Sequence, residues 1–209
     1  TRAAHHAGFD SSSHLHGSAG QTLGMKPGQY RQAGQGLALR VAIADSSLGA
    51  VLVAESENGI CAVAMGDDPD ALLGDFEQEF SGAELLPGNK AFEKRVAMVI
   101  TLIDAPLGTQ TPLPDALPVD IRGTAFQEQV WAALRAIPAG QTLSYQALAE
   151  TLGRPTAARA VARACASNRL AVLVPCHRIV RADGGLSGYR WGVERKAALL
   201  AREQGNKKA

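Results

Sequence analysis

One cysteine in this 209-residue chain is followed directly by a histidine, in Val174-Pro175-Cys176-His177-Arg178-Ile179-Val180. Only a thiolate attacks well, and a cysteine with an ordinary pKa of about 8.5 needs a base or cation close by to ionise at neutral pH. His177 is the adjacent base. In a flat strand the two side chains would point to opposite faces, so the pair cooperates only where the backbone turns or a water bridges it, and Pro175 supplies a turn residue. On residue types alone, a neighbouring Cys and His are more often unrelated. The other cysteines, Cys61 and Cys165, make an odd total without CxxC spacing. That argues against a disulfide framework and a four-cysteine zinc site, and all three are expected reduced. Four of the five histidines, His5, His6, His14 and His16, lie near the start without a matched ligand set. No metal and no cofactor is expected.

The elements that must hold Cys176 are mainly helical. Thr124-Ala125-Phe126-Gln127 reads as a capping box, with Phe126, Val130, Leu134 and Ile137 as the buried stripe of the helix that follows. Pro138 and Gly140 stop it. Ser144 is positioned to cap a second helix from Tyr145 to Leu152, ended by Gly153, and Thr156 to cap a third reaching about Ser167. Two short helices about a Gly-containing turn suggest a helix-turn-helix. The third helix, with Ala157, Ala158, Ala160, Ala162 and Ala164, carries almost no bulk and can lie close to another surface. Alanine runs also serve tight internal packing. Arg159 and Arg163, four apart and so on one face, favour a surface turned toward DNA.

Before this region the pattern is different. Leu37–Ala44, Leu48–Glu55 and Ile60–Met65 are short apolar segments, with Asn58-Gly59 placed for a tight turn, and predict three antiparallel strands. Leu72, Leu73, Phe76 and Phe80, then Phe92, Val96, Val99, Ile100 and Ile103, recur at helical spacing. Strands followed by helices indicate an α+β fold. The stretch Ala105–Pro118 holds four of the ten prolines and reads as a linker, with a boundary near residue 120. Residues 1–35 are poor in core formers and are expected to be flexible, 36–120 to form one domain and 121–209 another.

Charge divides at the same place. Residues 1–121 carry 7 Lys/Arg against 15 Asp/Glu, and residues 122–209 carry 14 against 5, so a net charge of +1 conceals halves of −8 and +9. Eleven of the cations in the second half are arginines, whose planar forks suit phosphate oxygens, and the expected partner is a polyanion. At 46% hydrophobic and 20% charged, the composition excludes a disordered or low-complexity chain. The longest apolar runs, Val96–Ile103 and Leu170–Val174, fall far short of a membrane span, and nothing at the start resembles an export signal, so a cytoplasmic protein is expected.

Pro175-Cys176-His177-Arg178, with Asn168 eight residues before the cysteine, resembles the active-site segment of the O6-alkylguanine-DNA alkyltransferases. Agreement extends through Arg122–Gln127, Ser144-Tyr145-Gln146, Arg159-Ala160-Val161 and Ser187–Gly192. The last of these, with Asp120–Gly123, is more similar to the carboxy-terminal part of bacterial Ada-type proteins than to stand-alone members. Residues 8–31 resemble the end of an AraC-type DNA-binding domain, so a fragment of a longer protein is expected. The resemblance implies a ribonuclease-H-like first domain and a helical catalytic domain. It also implies irreversible transfer of a small alkyl group from O6 of guanine to Cys176, with O4 of thymine as a second candidate.

By the same resemblance, His177 draws the thiol proton through a water and Glu203 orients the imidazole. Tyr145 donates to the leaving base, and Asn168 ties the recognition helix to the active-site turn. Arg159 fills the gap left by the flipped nucleotide, with Ala157, Ala158, Ala160 and Arg163 on the minor-groove face. Cys165, Leu186, Ser187, Gly188, Tyr189, Arg190 and Trp191 line the pocket, whose bulk implies a small-alkyl preference. The implied partner is alkylated duplex DNA read with little sequence preference, bound by a monomer. The competing reading is a DNA-binding regulatory module of a transcription factor without repair activity.

Overall fold

The computed structural model describes residues 34–105, 116–186 and 188–205, together with the backbone of a two-residue strand, β1 (His14–Leu15). The expected flexible start, most of the proline-rich linker, Ser187 and the basic tail fall outside these residues. The chain divides into two compact units, which among the described residues comprise 14–15, 34–104 and 116–122, and 105 with 123–186 and 188–205.

In the first unit β2 (Ala38–Ser46), β3 (Gly49–Ser56) and β4 (Gly59–Gly66) form an antiparallel meander. The sheet is larger than the three strands expected, since β1 pairs antiparallel and β5 (Glu84–Leu86) pairs parallel with the free edge of β2. Three residues with one Leu pair are too short to show a period-two signal, which is why β5 is silent in the sequence. Both faces of the sheet are buried, so the central strands read as continuous apolar runs. Leu39, Val41, Ile43 and Leu52 pack with Phe76 and Phe80 of the α1 region (α1, Pro69–Glu79), whose rings stack at 4.7 Å. Phe92, Val96, Val99 and Ile103 are the buried stripe of α2 (Lys90–Asp104), which packs against β2 and β3.

The second hairpin turn sits one residue earlier than Asn58-Gly59. Ser56 pairs with Gly59, so Glu57-Asn58 is the loop and Gly59 opens β4 at φ +136°. A Cβ at Gly59 would lie 2.5 Å from the Pro118 carbonyl, and the Ile60 amide donates to that same oxygen at 2.9 Å. Glycine is therefore required there by close approach as well as by φ. The end of the expected linker is thus built into the first unit, with Leu117 buried and Val119 bridged to Ile60.

The second unit opens with α3 (Ala125–Arg135), whose capping box is formed as expected, Thr124 accepting from the Gln127 amide and Gln127 accepting from the Thr124 amide. Ser144 caps α4 (Tyr145–Thr151) and Gly153 follows at φ +68°. The third helix, α5 (Ala158–Ala166), departs from expectation at its start: Ala157 is the cap residue and makes no side-chain cap bond. The physical reason is Pro155, which sets a turn closed by the Ala157 amide on the Arg154 carbonyl, and Thr156 is spent inside that turn. Two short strands, β6 (Leu143–Ser144) and β7 (Ile179–Val180), pair parallel, and α6 (Val193–Gly205) closes the unit.

Candidate active site

Cys176 does not lie in a strand. Cys176–Arg178 is a single 3-10 turn entered at Pro175 and closed by the Arg178 amide on the Pro175 carbonyl at 3.0 Å. The turn removes the opposite-face problem posed by adjacent side chains. Upstream, Leu170–Val174 is folded tightly enough that Val172 stands at φ +66°, an uncommon conformation for a β-branched residue.

Asn168 holds this bend together. Its side-chain amide donates to the Val174 carbonyl at 2.9 Å and to Cys176 Sγ at 3.1 Å, while its oxygen accepts from the Leu170 amide at 2.9 Å. It follows directly after α5 and its cap Ser167, so one side chain couples the helix end to the cysteine.

His177 is fully buried and its Nε2–H donates to Glu203 Oε1 at 2.9 Å. That bond fixes the proton on Nε2 and leaves Nδ1 as the acceptor. Glu203 also accepts from the Gly140 amide at 3.0 Å and from Arg178 Nε and Nη2, the latter at 2.8 Å. These donors hold its carboxyl at a pKa of about 2, against the burial that would raise it. Burial lowers the His177 pKa despite the carboxylate, so the imidazole is neutral at pH 7. Burial also pushes the Cys176 thiol up to about 11, with the Asn168 amide and the Lys196 ammonium pulling the other way. The resting sulfur is therefore protonated, and it can react at neutral pH only if its proton leaves as it attacks.

Tyr145 is half-buried at the start of α4, and the register Ser144 with Val180 brings that helix start to the strand that follows the cysteine turn. Tyr189 lies edge-on to His177, with ring centroids 6.5 Å apart, and to Trp191 at 5.0 Å. Trp191 and Cys165 are buried. Leu186, Gly188 and Arg190 are exposed, Arg190 reaching the Asn168 carbonyl at 3.5 Å. On α5, Val161, Ala164 and Cys165 face inward, Arg159, Ala160 and Arg163 are exposed, and Ala157 and Ala158 are intermediate. Among the described residues no group of three or more His, Cys, Asp or Glu could hold a metal ion.

Three contributors escaped sequence reasoning: Arg178 as the clamp on Glu203, the Gly140 amide, and Lys196, which is buried and donates to the Ile179 carbonyl at 2.5 Å. A signal existed. Lys196, Leu199, Leu200 and Glu203 follow the i, i+3, i+4, i+7 spacing of one helix face, so two charges share the apolar stripe of α6 and must be paired.

Comparison with known proteins places the chain in a family. Residues 125–205 match the DNA binding domain of 6-O-methylguanine DNA methyltransferase, and residues 39–105 its ribonuclease-like domain. A crystal structure of Mycobacterium tuberculosis OGT in complex with DNA is 33% identical, with a TM-score of 0.62 over 78% of this chain and 91% of that one. The chain belongs to the 6-O-methylguanine DNA methyltransferase family. Residues 1–32 match the bacterial regulatory helix-turn-helix proteins of the AraC family. The Escherichia coli bifunctional transcriptional activator/DNA repair enzyme Ada is 54% identical over 96% of this chain and 55% of its own length. The Salmonella typhimurium regulatory protein ada is 53% identical over 97% and 56%. The chain thus spans about half the length of these two relatives. The O6-methylguanine-DNA methyltransferase of Pyrococcus kodakaraensis, 24% identical with a TM-score of 0.59, shares the fold.

Proposed function

We propose that this chain repairs alkylated DNA by direct reversal, taking a methyl or other small alkyl group from O6 of guanine onto Cys176 and reacting once per molecule. The observation that carries this reading is the buried Glu203–His177 pair set directly beside a thiol that Asn168 holds at 3.1 Å. The S–H proton passes through a water to His177 Nδ1, and Glu203 steadies the imidazolium. The sulfur then displaces the base in line: an S–C bond forms, the C–O bond breaks, and its electrons remain on the guanine. Tyr145 is the donor that limits negative charge on the departing ring. The thioether product has no easy leaving group, which accounts for a single turnover.

In a duplex O6 is stacked away from the sulfur, so the nucleotide must be flipped out at a cost of a few kcal/mol. Arg159 fills the gap, and the small-residue face of α5 approaches the minor groove, contacting backbone more than base edges. Tyr189 and Trp191 restrict the pocket to small alkyl groups. Relatives whose names describe methylated-DNA–protein-cysteine methyltransferases, and the relative solved in complex with DNA, support this assignment. The protein acts as a monomer in the cytoplasm; among the described residues no helix is long and apolar enough to cross a membrane.

Incubation with a duplex containing O6-methylguanine is expected to add one methylene to the Cys176 peptide in one-to-one stoichiometry, and Cys176→Ala to abolish the gain. An unmodified peptide under tight DNA binding would instead support a regulatory module without repair activity.

A further inference from the structure

Two buried side-chain atoms of the active-site cluster have no hydrogen-bond partner within the protein: His177 Nδ1 and the Tyr189 hydroxyl. Such atoms are rare in folded proteins, because a buried polar group left unsatisfied has given up its hydration with nothing in return. Here they belong to rings that meet edge-on at 6.5 Å between centroids. Cys176 and Glu203 are both near enough to Tyr189 that their charges disfavour its ionisation. A neutral phenol can donate one hydrogen bond and accept another, whereas a bare imidazole nitrogen can only accept. A buried water is stable where it finds two to four polar partners. The two orphaned atoms, His177 Nδ1 and the Tyr189 hydroxyl, with the neighbouring Cys176 thiol, are three candidate partners for one such water.

We infer that Tyr189 is a positioning residue for proton transfer, its hydroxyl fixing the water that carries the Cys176 proton to His177. This rests on the relay in the proposed function and adds to it a third ligand of the water. In the step the S–H bond breaks and an Nδ1–H bond forms; the water gains one proton and gives up another, and the phenol keeps its own. Trp191, packed against the Tyr189 ring at 5.0 Å, holds the hydroxyl in place. Tyr189 thereby has a second role besides walling the pocket.

The test is the pH dependence of Cys176 alkylation by iodoacetamide, followed by peptide mass, in the wild-type protein and in Tyr189→Phe, which retains the ring and removes only the hydroxyl. No DNA is needed, so the outcome does not depend on whether methyl transfer from guanine occurs. Tyr189→Phe is expected to react about tenfold more slowly near pH 7. It should approach the wild-type rate as rising pH lets solvent hydroxide take the proton. An unchanged profile, or a rate lowered equally at every pH, would overturn the inference, since a pocket wall alone produces the second result. Should Tyr189→Phe fold poorly, Trp191→Phe tests the same point: loosening the Tyr189 ring should tilt the profile in the same direction, and a flat response overturns the role.

Discussion

At the residue scale, the candidate site solves one problem: how a sulfur that burial keeps protonated is made to attack. Three residues, Gly140, His177 and Arg178, donate to Glu203, and the 3-10 turn carries that histidine next to Cys176. The arrangement has an acid limb with a definite sign. His177 is lowered from 6.5 by burial, so below that pH the unfolded chain binds a proton that the folded chain refuses. Glu203 is lowered from 4.5 to about 2, so its contribution is complete above pH 4.5 and disappears as pH falls toward 2. Both effects make stability rise with pH. Urea titrations should show unfolding free energy declining below about pH 6.5 and again below about pH 4.5. Glu203→Gln should lose the second decline and, by leaving Arg178 without its counter-charge, cost about 3 kcal/mol at neutral pH. A wild-type stability flat from pH 7 to 3 would contradict the account.

Cysteine and histidine were legible here because they are neighbours and match a known motif. Glu203 is 27 positions beyond Cys176, and without the resemblance it reads as an exposed residue near a helix end. Its burial at 3% follows from α6 turning that face inward, which local sequence only hints at through the Lys196 to Glu203 spacing.

At the scale of elements, capping chemistry was readable and turn geometry less so. Thr124 and Ser144 cap the helices they precede, because each is in extended backbone and has a first turn of unpaired amides after it. Thr156 does not, since Pro155 diverts it into a turn. The meander strands were legible from continuous apolar runs, while β5, β6 and β7 are two or three residues long and exist only through pairing. Helix α5 shows its division of labour in its burial: Val161, Ala164 and Cys165 inward, Arg159 and Arg163 outward. Trp131 anchors it by donating to the Ala164 carbonyl at 2.9 Å, and Gln127 donates to Ser167 at the same distance. Replacing Arg163 with Ala should therefore weaken duplex binding without lowering the melting temperature. It should also make the dependence of log affinity on log salt shallower by about one unit, as for a single lost phosphate contact. Equal slopes for variant and wild type, measured by fluorescence anisotropy across a salt series, would remove α5 from the proposed interface.

At the scale of the whole molecule, the boundary between net acidic and net basic halves nearly coincides with the division between the two compact units after Arg122. In the first unit Glu55 pairs with Arg95 at 2.6 Å and Asp120 with Arg122 at 2.9 Å. The chemical groups of the site lie in the second unit, and in the proposed function its arginine excess draws in a phosphate backbone at long range, an effect that salt screens. Binding and chemistry are therefore separable: ionic strength should govern encounter, and proton transfer should govern the rate once the lesion is bound.

That separation makes the pH dependence of single-turnover methyl transfer, at saturating methylated duplex, the most direct test. If the proton leaves Cys176 through His177, the rate rises through the lowered histidine pKa and is level from about pH 7 to 9. A rate that instead climbs tenfold with each pH unit toward the thiol's own pKa of about 11 would mean that solvent, and not the buried histidine, removes the proton.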